Sequence, residues 1–80
     1  MGRPLSTHLR PLGKTLRETL RRRAMSHAQF AKRINVPATK IYGIVYRHNR
    51  IDADLAARFE AVLGISAATW LRLNEEGETP

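Results

Sequence analysis

Apolar residues recur at spacings of three and four along most of the chain, and no segment alternates with period two for long enough to make a strand. Leu16 and Leu20 form an i, i+4 pair within KTLRETLRRR, which predicts a first helix over 14–23 with Lys14, Arg17, Arg21, Arg22 and Arg23 turned outward. Phe30 and Ile34, with Ala31 beside them, give the inner face of a second helix. Ile41, Ile44 and Val45 give that of a third over 38–46. Leu55, Ala56, Phe59, Val62 and Leu63 make the stripe of a fourth, 53–63. Trp70, Leu71 and Leu73 mark a short fifth, 67–73. The expected fold is all-α, five helices in one small domain.

The joints carry matching signals. Ser26, Asp52 and Ser66 stand where a side-chain oxygen can accept from an unpaired amide in the first turn of the helix that follows. Asn35 tolerates the left-handed conformation that ends a helix, and Val36 can then return to the core. Pro37 has a fixed φ suited to helix entry, and Gly64 with Ile65 closes the fourth helix. Residues 1–12, with Pro4, Pro11 and no helical period, read as a flexible basic arm; its Arg3, His8 and Arg10 either fray or lie in a minor groove. The folded domain is expected over 13–74. An acidic tail, 75–80, with Gly77 and Pro80, is expected to be disordered.

Residues 26–51 thus form two short helices joined by a tight turn, the layout of a helix-turn-helix, whose second helix enters a DNA major groove. The outer side of that helix is Ala38, Thr39, Tyr42, Gly43 and Tyr46, with Lys40 and Arg47 at its margins. A helix that only had to pack would not need this row. Ala38 and Thr39 suit a thymine methyl, the Thr39 hydroxyl also a purine edge, and both are ordinary first-turn residues. Tyr42 and Tyr46 suit phosphate donation or a protein interface. Gly43 costs a helix interior about 1 kcal/mol relative to alanine, so it implies close approach either to DNA or to another helix. Lys40, Arg47 and Arg50 fit positioning on the phosphate backbone more than base reading. Trp70 fits the core or a dimer contact.

Charge sharpens this picture. The 80 residues hold 14 Lys and Arg against 7 Asp and Glu, a formal +7. The first fifty carry twelve of the cations and a single acid, Glu18; the last thirty carry two cations and six acids. A polyanion is the natural partner of the first half, because each neutralised phosphate releases condensed counterions. With no cysteine there is neither a disulfide framework nor a thiolate metal site, and the three histidines are too scattered for a metal. No apolar run approaches the ~20 residues of a membrane span, and the N-terminus lacks the apolar stretch of a signal peptide, so a cytoplasmic protein is expected. No paired carboxylates, glycine-rich phosphate loop or nucleophile–base spacing supports catalysis or a cofactor.

With Val36-Pro37 opening the third helix, Ile51-Asp52-Ala53-Asp54 the fourth, and Leu63-Gly64-Ile65-Ser66 followed by Trp70-Leu71, the stretch from about 16 to 74 resembles the phage-repressor type of helix-turn-helix, the Xre-like superfamily, and within it the HigA-type antitoxins. The resemblance implies a five-helix repressor that binds a palindromic double-stranded DNA operator as a homodimer. It also implies binding to a toxin of the HigB or RelE kind, a ribosome-dependent RNase, and autorepression of the operon. Its base-reading positions fall on Ala38, Thr39, Tyr42 and Gly43, and its phosphate contacts near His27, Lys40, Tyr46, Arg47 and His48. The family commonly has Asn-Gly where this chain has Tyr46-Arg47, and glutamine where it has His27. A phage or plasmid repressor without a toxin is the alternative.

Overall fold

The computed structural model describes residues 10–76, which form five α-helices and no strand: α1 Pro11–Arg22, α2 His27–Arg33, α3 Ala38–Tyr46, α4 Ala53–Leu63 and α5 Ala67–Glu75. The expected arm residues Arg3 and His8 and the tail beyond Glu76 lie outside the described residues. The all-α, five-helix expectation holds.

Two boundaries differ from the sequence reading. Helix α1 begins at Pro11, not at 14, because proline is tolerated in a first turn where its missing N–H would be unpaired anyway. Leu12 is thereby buried in line with Leu16 and Leu20. Helix α5 continues past Leu73 to Glu75, taking in Asn74, whose side chain is buried. Its amide donates to the Ile51 carbonyl at 2.7 Å and accepts from the Ile51 N–H at 3.0 Å. One side chain thus satisfies both backbone groups of a residue that no helix or sheet serves.

The caps act as their residue types dictate. Ser26 accepts from Gln29 N–H at 3.0 Å while the Gln29 side chain accepts from Ser26 N–H at 2.8 Å, a reciprocal capping box. Asp52 accepts from Leu55 N–H and Ser66 from Thr69 N–H. Helix α2 ends with Asn35 at φ 63°, Val36 N–H bonding Ala31 O and Asn35 N–H bonding Lys32 O, the paired bonds of a Schellman ending. Helix α1 ends the same way through Ala24 at φ 55°, with Met25 N–H on Leu20 O and Ala24 N–H on Arg21 O. Alanine has no preference for that conformation, so this ending was not legible beforehand.

The core runs along the inner faces of all five helices. Phe59 meets Phe30 at 5.1 Å and Trp70 at 5.2 Å between ring centres, both edge-on, the arrangement aromatic quadrupoles favour. Trp70 is therefore core. Gly13 lies where α1 crosses α3: a Cβ there would stand 2.6 Å from the Val45 carbonyl oxygen, so only glycine permits this approach. Two arginines tie helix ends across the fold. Arg23 donates to Leu63 O at 2.6 Å, at the end of α4, and Arg58 to Ile34 O at 2.9 Å, at the end of α2. Both place a cation on carbonyls left open at a helix C-terminus.

Candidate nucleic-acid interface

Helix α3 sets the surface. Ile41, Ile44 and Val45 are buried, which fixes its rotation and turns Thr39, Lys40, Tyr42 and Tyr46 outward. Tyr42 and Tyr46 keep 45% and 37% of their surface exposed, the two large hydrophobic residues most open to solvent among those described. Among the described residues only the His27 ring of α2 lies against this row. Pro37, exposed, is the N-cap of α3 with φ −64°, and Lys40 N–H bonds its carbonyl at 3.0 Å. Arg47 and His48 follow on the exposed loop; His48 takes φ 63°, a left-handed conformation that histidine adopts more readily than most side chains.

Three of the expected positions sit differently from the sequence reading. Gly43 is buried, and the position a Cβ would take is occupied by the amide of Asn49. Its carbonyl accepts from Arg47 and Asn49 N–H at 3.0 and 3.1 Å. The glycine therefore makes room for the loop that returns behind α3. Ala38 is half-buried against the core and shows only part of its methyl. Arg50 donates from its guanidinium to the Asn74 carbonyl at 3.4 Å, at the end of α5.

His27 opens α2 beside α3. Its ring lies 4.9 Å from that of Tyr42 with 8° between planes, and 6.0 Å from Tyr46 with 23°; the two tyrosine rings are 6.4 Å apart at 18°. Its Nε2 is buried without a hydrogen-bond partner. Burial and then the nearby Arg17 charge lower its pKa below 6.5, so the neutral imidazole prevails at neutral pH. Arg17, a solvent-facing cation by sequence, belongs to this surface, its charge acting on His27. The available signal was spacing: Lys14, Arg17 and Arg21 recur at three and four on one side of α1. Lys14, Arg17, Lys40 and Arg47 make no ion pair among the described residues. The surface is positive, with a flat aromatic strip at its centre.

Fold and surface together define a five-helix helix-turn-helix domain whose second motif helix is exposed along its outer side. The chain is similar to PA4674 from Pseudomonas aeruginosa, solved in complex with its 18-bp operator DNA, at 33% sequence identity and a TM-score of 0.75, over 82% of this chain and 72% of that one. It belongs to the same family as PA4674. No protein-family model matches the chain, and no curated protein does. Among the described residues no helix is long and apolar enough to cross a membrane, and no group of three or more His, Cys, Asp or Glu side chains could hold a metal ion.

Proposed function

We propose that the chain is a sequence-specific DNA-binding transcriptional repressor, with no catalytic step in its action. The observation that carries this reading is the outer side of α3: a row of exposed polar and aromatic side chains, on a helix seated by its buried face, flanked by Lys40 and Arg47, which have no acidic partner among the described residues. The operator complex of its relative PA4674 supports the same reading. An α-helix fits the ~12 Å width of the major groove, where each base pair presents a distinct set of donors, acceptors and methyls. Thr39 and Tyr42 are the base-reading side chains; Lys40, Tyr46, Arg47 and His48 hold the phosphate backbone. A homodimer places two such helices about 34 Å apart on a palindromic site and covers a promoter.

The finer reading is that of an antitoxin that also binds a basic mRNA-cleaving toxin of the HigB or RelE kind and represses its own operon. What supports it is the resemblance of residues 16–74 together with the acidic second half of the chain. A repressor without such a partner shares every feature of the DNA surface. The decisive test of the main reading is a gel-shift titration on DNA from upstream of the chain's own gene, against scrambled DNA, at several salt concentrations. A sequence-dependent, salt-sensitive complex is expected; equal binding to both DNAs would exclude a repressor. The antitoxin reading is tested by co-expression with the product of the adjacent gene. It requires a stable complex that stops mRNA cleavage.

A further inference from the structure

Phosphate contact by a histidine calls for a ring whose N–H reaches solvent and which readily takes a positive charge. His27 departs from this at its outer nitrogen: its Nε2 is buried with no partner, and its half-buried imidazole lies flat against Tyr42, 4.9 Å away with 8° between planes. Tyr46, one turn further along α3, lies parallel to both within 23°. Three rings from two helices therefore share one orientation, and two of them are the tyrosines exposed on α3. Tyrosines this exposed ordinarily sample several side-chain rotamers, and ordering them on binding opposes association. Parallel packing on a third ring removes that freedom in advance, since stacked aromatic pairs gain more than burial alone.

We propose that His27 is a positioning residue for DNA recognition: its ring is the flat support that holds Tyr42 and Tyr46 parallel on the outer side of α3, so that both phenols meet the groove already ordered. His27 itself makes no phosphate contact. This rests on the DNA-binding reading above and replaces the role that the resemblance assigns to this position. The support needs a flat ring and no charge, which explains why an imidazole without a partner at its buried nitrogen serves.

The test compares His27→Phe, His27→Ala and His27→Gln in the full chain on the operator found by the gel-shift titration, with ring-proton shifts of Tyr42 and Tyr46 recorded by NMR on the free protein. His27→Phe keeps the flat ring and is expected to bind within about twofold of the unsubstituted chain, with the same salt slope and stacked ring shifts. His27→Ala and His27→Gln are expected to lose stacking shifts and to weaken binding roughly threefold to tenfold, the range for ordering one or two side chains, again without change in salt slope. In a Tyr42→Ala/Tyr46→Ala background, His27→Ala should have no further effect. Binding weakened as much in His27→Phe as in His27→Ala, with the tyrosine stacking shifts of His27→Phe retained, would show a lost imidazole N–H contact to a phosphate and overturn the proposal. So would His27→Ala binding like the unsubstituted chain. Failure of the unsubstituted chain to bind any DNA would instead overturn the DNA reading, and the proposal with it.

Discussion

In α4, α5 and the loops that enter them, most of the described carboxylates are used by the fold. Asp52 caps α4, Asp54 pairs with Arg58 at 3.1 Å, Glu60 accepts from Ala67 N–H at 3.0 Å, and Glu76 faces Arg72 at 3.9 Å. On α1 to α3 the cations Lys14, Arg17, Lys32, Arg33 and Lys40 form no ion pair among the described residues, and the aromatic strip has one side open. Caps and i, i+4 pairs each contribute of order 1 kcal/mol or less, whereas unpaired like charges on one side repel each other. The contrast separates a half whose carboxylates are mostly tied into the fold from a half most of whose cations are not, which is where the proposed DNA partner would bind.

The strongest way to probe the contrast is Asn74→Leu, which leaves both backbone groups of Ile51 buried and unpaired. Loss of about 2–4 kcal/mol is expected from two such groups, read as a lower urea midpoint. DNA affinity of the fraction that remains folded should not change. Arg47→Ala probes the other half: on the proposed reading it lowers the salt slope of DNA binding by about 1 on every sequence, while the urea midpoint moves by no more than ~0.5 kcal/mol equivalent. Equal losses of stability in both variants would abolish the distinction.

Smaller effects sharpen it. Ala24→Gly should stabilise the chain by about 0.5–1 kcal/mol, because φ 55° strains alanine and not glycine; chemical denaturation reads this directly. The smallest effect expected is pH-dependent. His27 stays neutral in the folded chain below the pH at which it protonates in the unfolded one, so on acidification the unfolded chain takes up the proton first. Its contribution is complete above about 6.5 and is lost progressively below that value, through the lower folded-state pKa. Melting temperatures of the native chain and His27→Phe between pH 5 and 7.5 should show a shallower acid decline in the variant.

Much of the scaffold was legible along the chain. The apolar spacing located all five helices, and Ser26, Asp52, Ser66, Asn35 and Gly64 marked their ends, because a cap depends on residues only a few positions apart. The outward row of Thr39, Lys40, Tyr42 and Tyr46 was legible for the same reason: the three buried residues of α3 leave its rotation no choice. Gly43 was misplaced in that row. Helical spacing puts it beside Tyr42, and nothing local announces that Asn49, six residues on, returns to occupy its missing side chain.

What the sequence by itself determined was therefore local: the period of burial, the caps, and the segregation of positive from negative charge. Only the tertiary structure decided which residues from distant segments meet. It brought Gly13 onto Val45, Asn74 onto Ile51, Arg23 onto the end of α4, and His27 against the tyrosines of α3. Each of these depends on how two helices cross, and the crossing is set by the packing of the whole core. A polar residue's neighbours three or four positions away can be read from helical geometry, but its partner on another helix cannot.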